Sequence, residues 1–246
     1  MPEIKINDRI SYIPSCERPL SADVGIVRGD NITYIYDVGS TPETLEFLHS
    51  LNGRCDIVIS HFHGDHTWWL TKHHRGEDGV EPDDTISLTY ERPAFRRLYV
   101  GALTKKYISD GTVVTEPTMI SSSSGAVFRA NERGFDPGSE SSYDGVKIDV
   151  YALPNSHCKG ALLMMVDNEY AFIGDSGYCL EKDGRSRYNA QLLKAEIELL
   201  EQIPADKLLV SHDRKFLRNK NVVLRQLKTI YSHRTPDSPY IFVEGG

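Results

Sequence analysis

The sequence has little of what marks secreted, membrane-spanning or repetitive proteins. Its four cysteines, Cys16, Cys55, Cys158 and Cys179, make no CxxC pair. That argues against a disulfide framework and for reduced thiols in a cytoplasm. No apolar run approaches the roughly 20 residues that a membrane helix needs. The opening MPEIKINDRI lacks the charged-then-apolar order of a signal peptide, and no long internal repeat is present. Positive charge is the scarcer sign, with 28 Lys and Arg against 35 Asp and Glu, a net charge of −7. That balance, with no unbroken run of basic residues, disfavours nucleic acid and any substrate held mainly through phosphate contacts. What is left is an ordinary globular composition over 246 residues, 39% apolar and 26% charged.

One stretch stands out against this background: residues 57–69, reading IVISHFHGDHTWW. It carries His61, His63, Asp65 and His66 within six positions. The β-branched run Ile57-Val58-Ile59 fits a strand buried on both faces, and the donors follow in a loop. Imidazole and carboxylate together suit zinc, manganese or iron. His61 and His63 are two apart, so an extended backbone points both the same way. Gly64 permits the turn that brings Asp65 and His66 round to a different point, which suggests two metals. The bland alternative is a loop of solvated histidines. It fits poorly after a buried strand, because each polar group would then need some other partner.

Residues 24–37 read as a hairpin, VGIVRG and ITYIYD about a Gly-Asp-Asn turn. Asp37 at its end is either a turn former or a group that orients a ligating histidine. A helix follows, with Thr41 as N-cap, Pro42 in its first turn and Leu45, Leu48 and Leu51 buried; Asn52-Gly53 closes it. Strand, helix, buried strand is a βαβ pattern. Residues 67–74 continue the donor loop as a short helix, with His73 and His74 read as solvated. Residues 85–90 and 112–115 read as strands. Residues 131–144, rich in Gly, Ser, Pro and acids, read as a long loop, a substrate lid or a tolerated insertion. Order returns with a strand over 146–153, a turn into His157, and a hairpin over 161–173 that ends at Gly174-Asp175. A helix over 189–203 places Leu192, Leu199 and Ile203 on one face. A strand over 208–210 ends at Ser211-His212, then a final helix spans 214–231 with Val223, Leu227 and Ile230 inward. Residues 240–243 are a last strand candidate.

Asp37, His61, His157, Asp175 and His212 each sit just past a predicted strand, and such ends line up along one edge of a layered α/β fold. In this order the chain resembles the metallo-β-lactamase fold superfamily. HFHGDH matches its HxHxDH signature, Asp37 its first motif, and His157, Asp175 in GDSG and His212 the later motifs. The resemblance covers roughly residues 20–215. It implies an α/β four-layer αβ/βα sandwich over residues 1–246, as one domain with a loop-rich insertion at about 71–145. It also implies a dinuclear site between two sheets. One divalent ion is held by His61, His63 and His157, the other by Asp65, His66 and His212, and Asp175 bridges. Zinc is the first choice, with iron or manganese as alternatives.

Two departures matter. Cys158-Lys159-Gly160 stands where many relatives have Thr-Pro-Gly. Asp175 occupies a position where many true β-lactamases of this fold use cysteine, which argues against antibiotic hydrolysis as the native task. The expected activity is hydrolysis of a small carboxylic ester, thioester or lactone by a hydroxide shared between ions about 3.5–4 Å apart. Asp65 would hold the second ion and orient the hydroxide. Tyr178, three residues past Asp175, would contact the substrate carbonyl or leaving group, as the resemblance to lactonases implies; closing the turn is the alternative role. Lys159 would meet an anionic substrate and Trp68 would wall the pocket, against surface and core roles respectively. The 34 residues after His212 are short for the helical glutathione-recognising domain of the glyoxalase II branch. Phosphodiester hydrolysis is the runner-up, and a non-catalytic metal-dependent sensor a third reading. The expected partner is a small molecule, without membrane or nucleic acid, in a cytoplasmic protein; a homodimer is left open.

Overall fold

A computed structural model describes residues 3–71, 91–108, 110–123 and 142–243. Among them two seven-stranded sheets stack face to face. The first runs, edge to edge, Ile4–Lys5, Ile10–Ile13, Val24–Arg28, Thr33–Tyr36, Cys55–Val58, Arg97–Val100 and Thr112–Val113. It is antiparallel as far as Thr33–Tyr36 and parallel beyond. The second runs Ser142–Tyr143, Thr118–Ser122, Ile148–Leu153, Ala161–Val166, Tyr170–Gly174, Lys207–Val210 and Leu217–Asn219.

The unbroken apolar runs are explained by burial on both faces. Side chains alternate across a strand, so Tyr34, Tyr36 and Val58 enter the core between the sheets while Ile35, Ile57 and Ile59 enter an outer core. The second sheet does the same: Leu162, Met164, Phe172 and Leu209 point to its partner sheet, and Leu163, Met165, Ile173 and Val210 point away. Helix α1 (Pro42–Ser50) covers the first sheet through Leu48. Two later helices, Ala190–Gln202 and Lys220–Ser232, cover the second through Leu193, Leu200, Val223 and Leu227. The layers are therefore helix, sheet, sheet, helix, as expected. Among the described residues no helix is long and apolar enough to cross a membrane.

The sheets approach closely where glycine allows it. A Cβ on Gly25 would lie 2.3 Å from the Phe172 ring, and one on Gly174 would lie 2.7 Å from Ser60 Cβ. Two hydrogen bonds cross the seam there, from Tyr36 Oη to the Leu162 carbonyl and from Leu162 N to the Ser60 carbonyl, both 2.7 Å. At another point buried Asp144 accepts from Asn31 N, Ile32 N and Tyr34 Oη at 2.6, 3.1 and 3.1 Å.

Several expectations change. The final helix begins at Lys220, not residue 214, because Leu217–Asn219 turns back to pair with Lys207–Val210. Asn219 then caps the helix from Asn221 N. On the 190–202 helix the buried face is Leu193, Glu196, Ile197 and Leu200, while Leu192 and Leu199 are half-buried. A short hairpin, Leu180–Lys182 with Arg185–Asn189, joins Tyr240–Val243 in a separate three-stranded sheet. The expected strand over 85–90, most of the 131–144 loop, and His73 and His74 lie outside the described residues. The described parts of 71–145 add strands to both sheets.

Candidate metal centre

The donors gather at one edge of the seam. Cys55–Val58 leads into Ser60 and His61, and the next residues turn into the short helix Gly64–Thr67. Backbone bonds dock this loop: Ala22 N donates to the Asp65 carbonyl at 3.1 Å and Val38 N to the His66 carbonyl at 3.0 Å. His157 follows the turn after Ile148–Leu153, Asp175 caps Tyr170–Gly174, and His212 follows Lys207–Val210. Asp37 and His212 both have positive φ, 62° and 59°. A non-glycine residue rarely adopts this conformation without surrounding restraint.

Two groups of donors result, His61 with His63, His157 and Asp175, and Asp65 with His66 and His212. Within the first, His63 Nδ1 is 2.9 Å from His61 Nε2 and 3.1 Å from His157 Nε2. Within the second, His212 Nε2 lies 3.0 Å and His66 Nε2 3.4 Å from Asp65 Oδ2. Asp175 faces both groups. Its Oδ2 is 3.4 Å from His157 Nε2 and 4.0 Å from His61 Nε2; its Oδ1 is 3.3 Å from His66 Nε2 and 3.8 Å from His212 Nε2.

Outer partners fix which ring nitrogens are free. His157 Nδ1 lies 3.1 Å from the Cys179 carbonyl, an acceptor only, so that nitrogen carries the proton and Nε2 presents its lone pair. His66 Nδ1 lies 2.8 Å from Asp37 Oδ2, which likewise turns a bare Nε2 inward in the neutral ring. Asp37 also accepts from Ser60 N at 2.7 Å, and Ser60 Oγ lies 2.9 Å from His61 Nδ1.

Burial and neighbouring rings hold His61 well below the usual imidazole range and His63 at about 4, so both lone pairs are unprotonated at neutral pH. Burial alone would raise Asp65 and Asp175, but His66 and His212 outweigh it and hold both low, as carboxylates. His66 and His212 move up: burial opposes their charge, yet the facing carboxylates prevail. A cation arriving here would take the place of that proton.

The cluster fits metal ions on its own geometry. His66 Nε2 and Asp175 Oδ1 are buried without a hydrogen-bond partner among the described residues, whereas the great majority of buried polar groups in proteins are paired. The ring nitrogens of His61, His63 and His157 crowd together at 2.9 and 3.1 Å, and those of His61 and His63 are unprotonated at neutral pH. A metal ion among such donors would satisfy them.

The other expected residues lie outside the two donor groups. Tyr178 is half-buried and its Oη donates to the Ser211 carbonyl at 3.0 Å, beside His212. Lys159 is exposed, two positions past His157. Trp68 is half-buried against the outer core of the first sheet. Trp69 is buried there, its Nε1 donating to Thr44 Oγ1 at 3.0 Å.

Three positioning residues were not expected from the sequence. Buried Asp23 accepts from His212 N at 2.9 Å. Asn155 accepts from His157 N at 2.7 Å and donates to Ser176 Oγ at 2.8 Å, tying two donor turns together. Ser60 links Asp37, His61 and the second sheet. Only their position next to strand ends could have flagged them.

No curated protein matches the chain. Among solved structures, a B3 metallo-β-lactamase described as the first with an active-site glutamic acid superposes with a TM-score of 0.59 at 9% identity, over 95% of this chain and 90% of that one. A metallo-β-lactamase from Pontibacter korlensis gives 0.53 at 15% identity, over 95% and 99%. The flavodiiron protein from Giardia intestinalis gives 0.59 at 8% identity, over 95% of this chain and 60% of that longer one. At such identities these likenesses speak to the fold alone. A family model described as the metallo-β-lactamase superfamily matches residues 18–212, which take in every donor described above, and the chain belongs to that superfamily.

Proposed function

We propose that this chain is a metal-dependent hydrolase of a small carboxylic ester, thioester or lactone. The observation that carries the reading is Asp175, whose two oxygens face two separate donor groups. Divalent ions, zinc first, would be held by His61, His63 and His157 on one side and by Asp65, His66 and His212 on the other, with Asp175 between. When bound, such ions polarise a carbonyl oxygen and make water a nucleophile at neutral pH.

The chain's own residues then have distinct tasks. Asp37 holds the His66 Nδ1 proton, so that once a cation displaces the inward proton Nε2 is the nitrogen that binds it. Asp65 stays ionised through its histidine neighbours, so it can orient an attacking water as an acceptor. Exposed Lys159 offers a cation for an anionic substrate group. Tyr178 packs against the outer core of the second sheet and holds the Ser211 carbonyl next to His212; to act on a leaving oxygen its hydroxyl would have to turn from that carbonyl.

The test is a panel of lactones, esters, thioesters and phosphodiesters offered to metal-replete protein. Turnover of a carbonyl substrate, lost on chelation, is expected. Preferred cleavage of a phosphodiester would replace the substrate class. No turnover of any substrate with both ions bound would leave the sensor reading.

A further inference from the structure

A cavity lies between the 220–232 helix and the outer face of the second sheet. Its volume is about 490 Å³, within the range of small-molecule sites. Val210, Val223, Leu227 and Ile230 form its apolar floor. It is separate from the space where the donors converge. On the strand Lys207–Val210, Leu209 faces the core between the sheets and Val210 faces the outer one. The inner wall is the 176–178 turn and Asp213, and the Tyr178–Ser211 hydrogen bond bridges the two turns.

The charge at the cavity is one-sided. Asp213 is tied to Arg218. Lys228, near Arg225 on the same helix, pairs with Glu201 at 2.6 Å. Exposed Arg225 lines the mouth and forms no ion pair among the described residues. The surrounding sequence reinforces this: residues 214–234 contain seven Lys and Arg and no Asp or Glu, in a chain of net charge −7. An apolar floor with an unpaired guanidinium at its mouth is complementary to an amphipathic anion, whose tail leaves water as its head meets the cation.

We infer that this cavity is a binding site for an amphipathic monoanion of the medium-chain carboxylate kind, distinct from the metal centre. Its tail lies on Val210, Val223, Leu227 and Ile230, and its head meets Arg225. Such a ligand touches Tyr178 and Asp213, which follow Asp175 by three positions and His212 by one. Occupancy and metal binding are therefore coupled through these two turns, and the coupling is reciprocal.

The probe is decanoate below its micellar concentration, titrated calorimetrically into the full chain with its metals bound, with decanol as the uncharged control. Two variants locate the site. Arg225→Glu reverses an exposed charge, and Leu227→Trp fills the floor. Wild-type protein should bind decanoate saturably at one site. Arg225→Glu should weaken that by roughly tenfold or more and leave decanol binding unchanged; Leu227→Trp should abolish both. Chelated protein should bind decanoate with a different affinity. No saturable binding by the wild type would overturn the site, and so would equal decanoate affinity in Arg225→Glu. Should Leu227→Trp fail to fold, Arg225→Glu decides alone. The readout is binding, so it stands whichever bond the metal centre cleaves.

Discussion

Glu196 offers a quantitative test of the packing behind the donor turns. It sits on the inner face of the 190–202 helix, 1% exposed. The Gly177 backbone amide lowers its carboxyl slightly, while its Oε1 has no partner among the described residues. Burial pushes its carboxyl up from 4.5 to about 8. A raised folded pKa means that the folded chain keeps a proton which the unfolded chain gives up. The stability linked to that proton is complete below about pH 4.5 and is lost as pH rises through about 8. Across the whole window the shift corresponds to roughly 5 kcal/mol, at about 1.4 kcal/mol per pH unit while one proton separates the two states. Between about pH 5.5 and 7.5 the wild type should therefore lose about 2–3 kcal/mol through this group. Glu196→Gln keeps the shape but does not titrate. Urea unfolding of both proteins at both pH values isolates the effect, since the histidines titrate alike in each and cancel in the difference. The variant should fall less steeply with pH by that 2–3 kcal/mol. Parallel pH dependence in the two proteins would refute the claim that Glu196 is protonated in the fold.

The other predictions concern the seam and the donors. Asp144→Ala strands two backbone amides and the Tyr34 hydroxyl, and should cost about 3–5 kcal/mol in chemical denaturation; a loss under about 1 kcal/mol would show that water replaces the carboxylate. Elemental analysis of protein prepared without chelator should approach two metal equivalents, and fewer than one after reconstitution would sink the dinuclear reading. His157→Ala should weaken one ion and His212→Ala the other, so that metal titration separates the variants; loss of the same ion in both would make the partition wrong. Tyr178→Phe should cost about 1 kcal/mol, from the Ser211 carbonyl it leaves unpaired, and should lower kcat on the best carbonyl substrate with both metals retained. Wild-type kcat would confine that hydroxyl to holding the turn.

The donors were legible in the sequence because each follows a strand that alternation or an unbroken apolar run makes visible. Ile57-Val58-Ile59 announces His61, and Leu208–Val210 announces His212. The supporting contacts were not legible, because they join positions far apart in the chain. Asp23 meets His212 across 189 residues, and nothing near Asp23 encodes that. The face of the 190–202 helix was misread because apolar residues occur on several of its sides. Glu196, buried without a charge partner among the described residues, hides the true stripe of Leu193, Ile197 and Leu200. The start of the last helix was misread because no Gly or Pro separates 214–219 from it. Only the pairing of Leu217–Asn219 with a neighbouring strand shows those residues to be extended.

The two sheets divide the chain almost at its middle. Among the described residues the first sheet ends at Val113 and the second begins at Thr118. Each donor group draws from both sides of that division, His61 and His63 meeting His157 and Asp175, and Asp65 and His66 meeting His212. In mechanical terms, each bound ion would be a rivet through the joint between two half-molecules. Pulling the halves apart would then load both rivets together, and the slower ion to leave would set the lifetime of the joint. Without ions the halves would be joined by the core between the sheets and the hydrogen bonds across the seam alone. Ion occupancy would thus bear on how readily proteases open the joint.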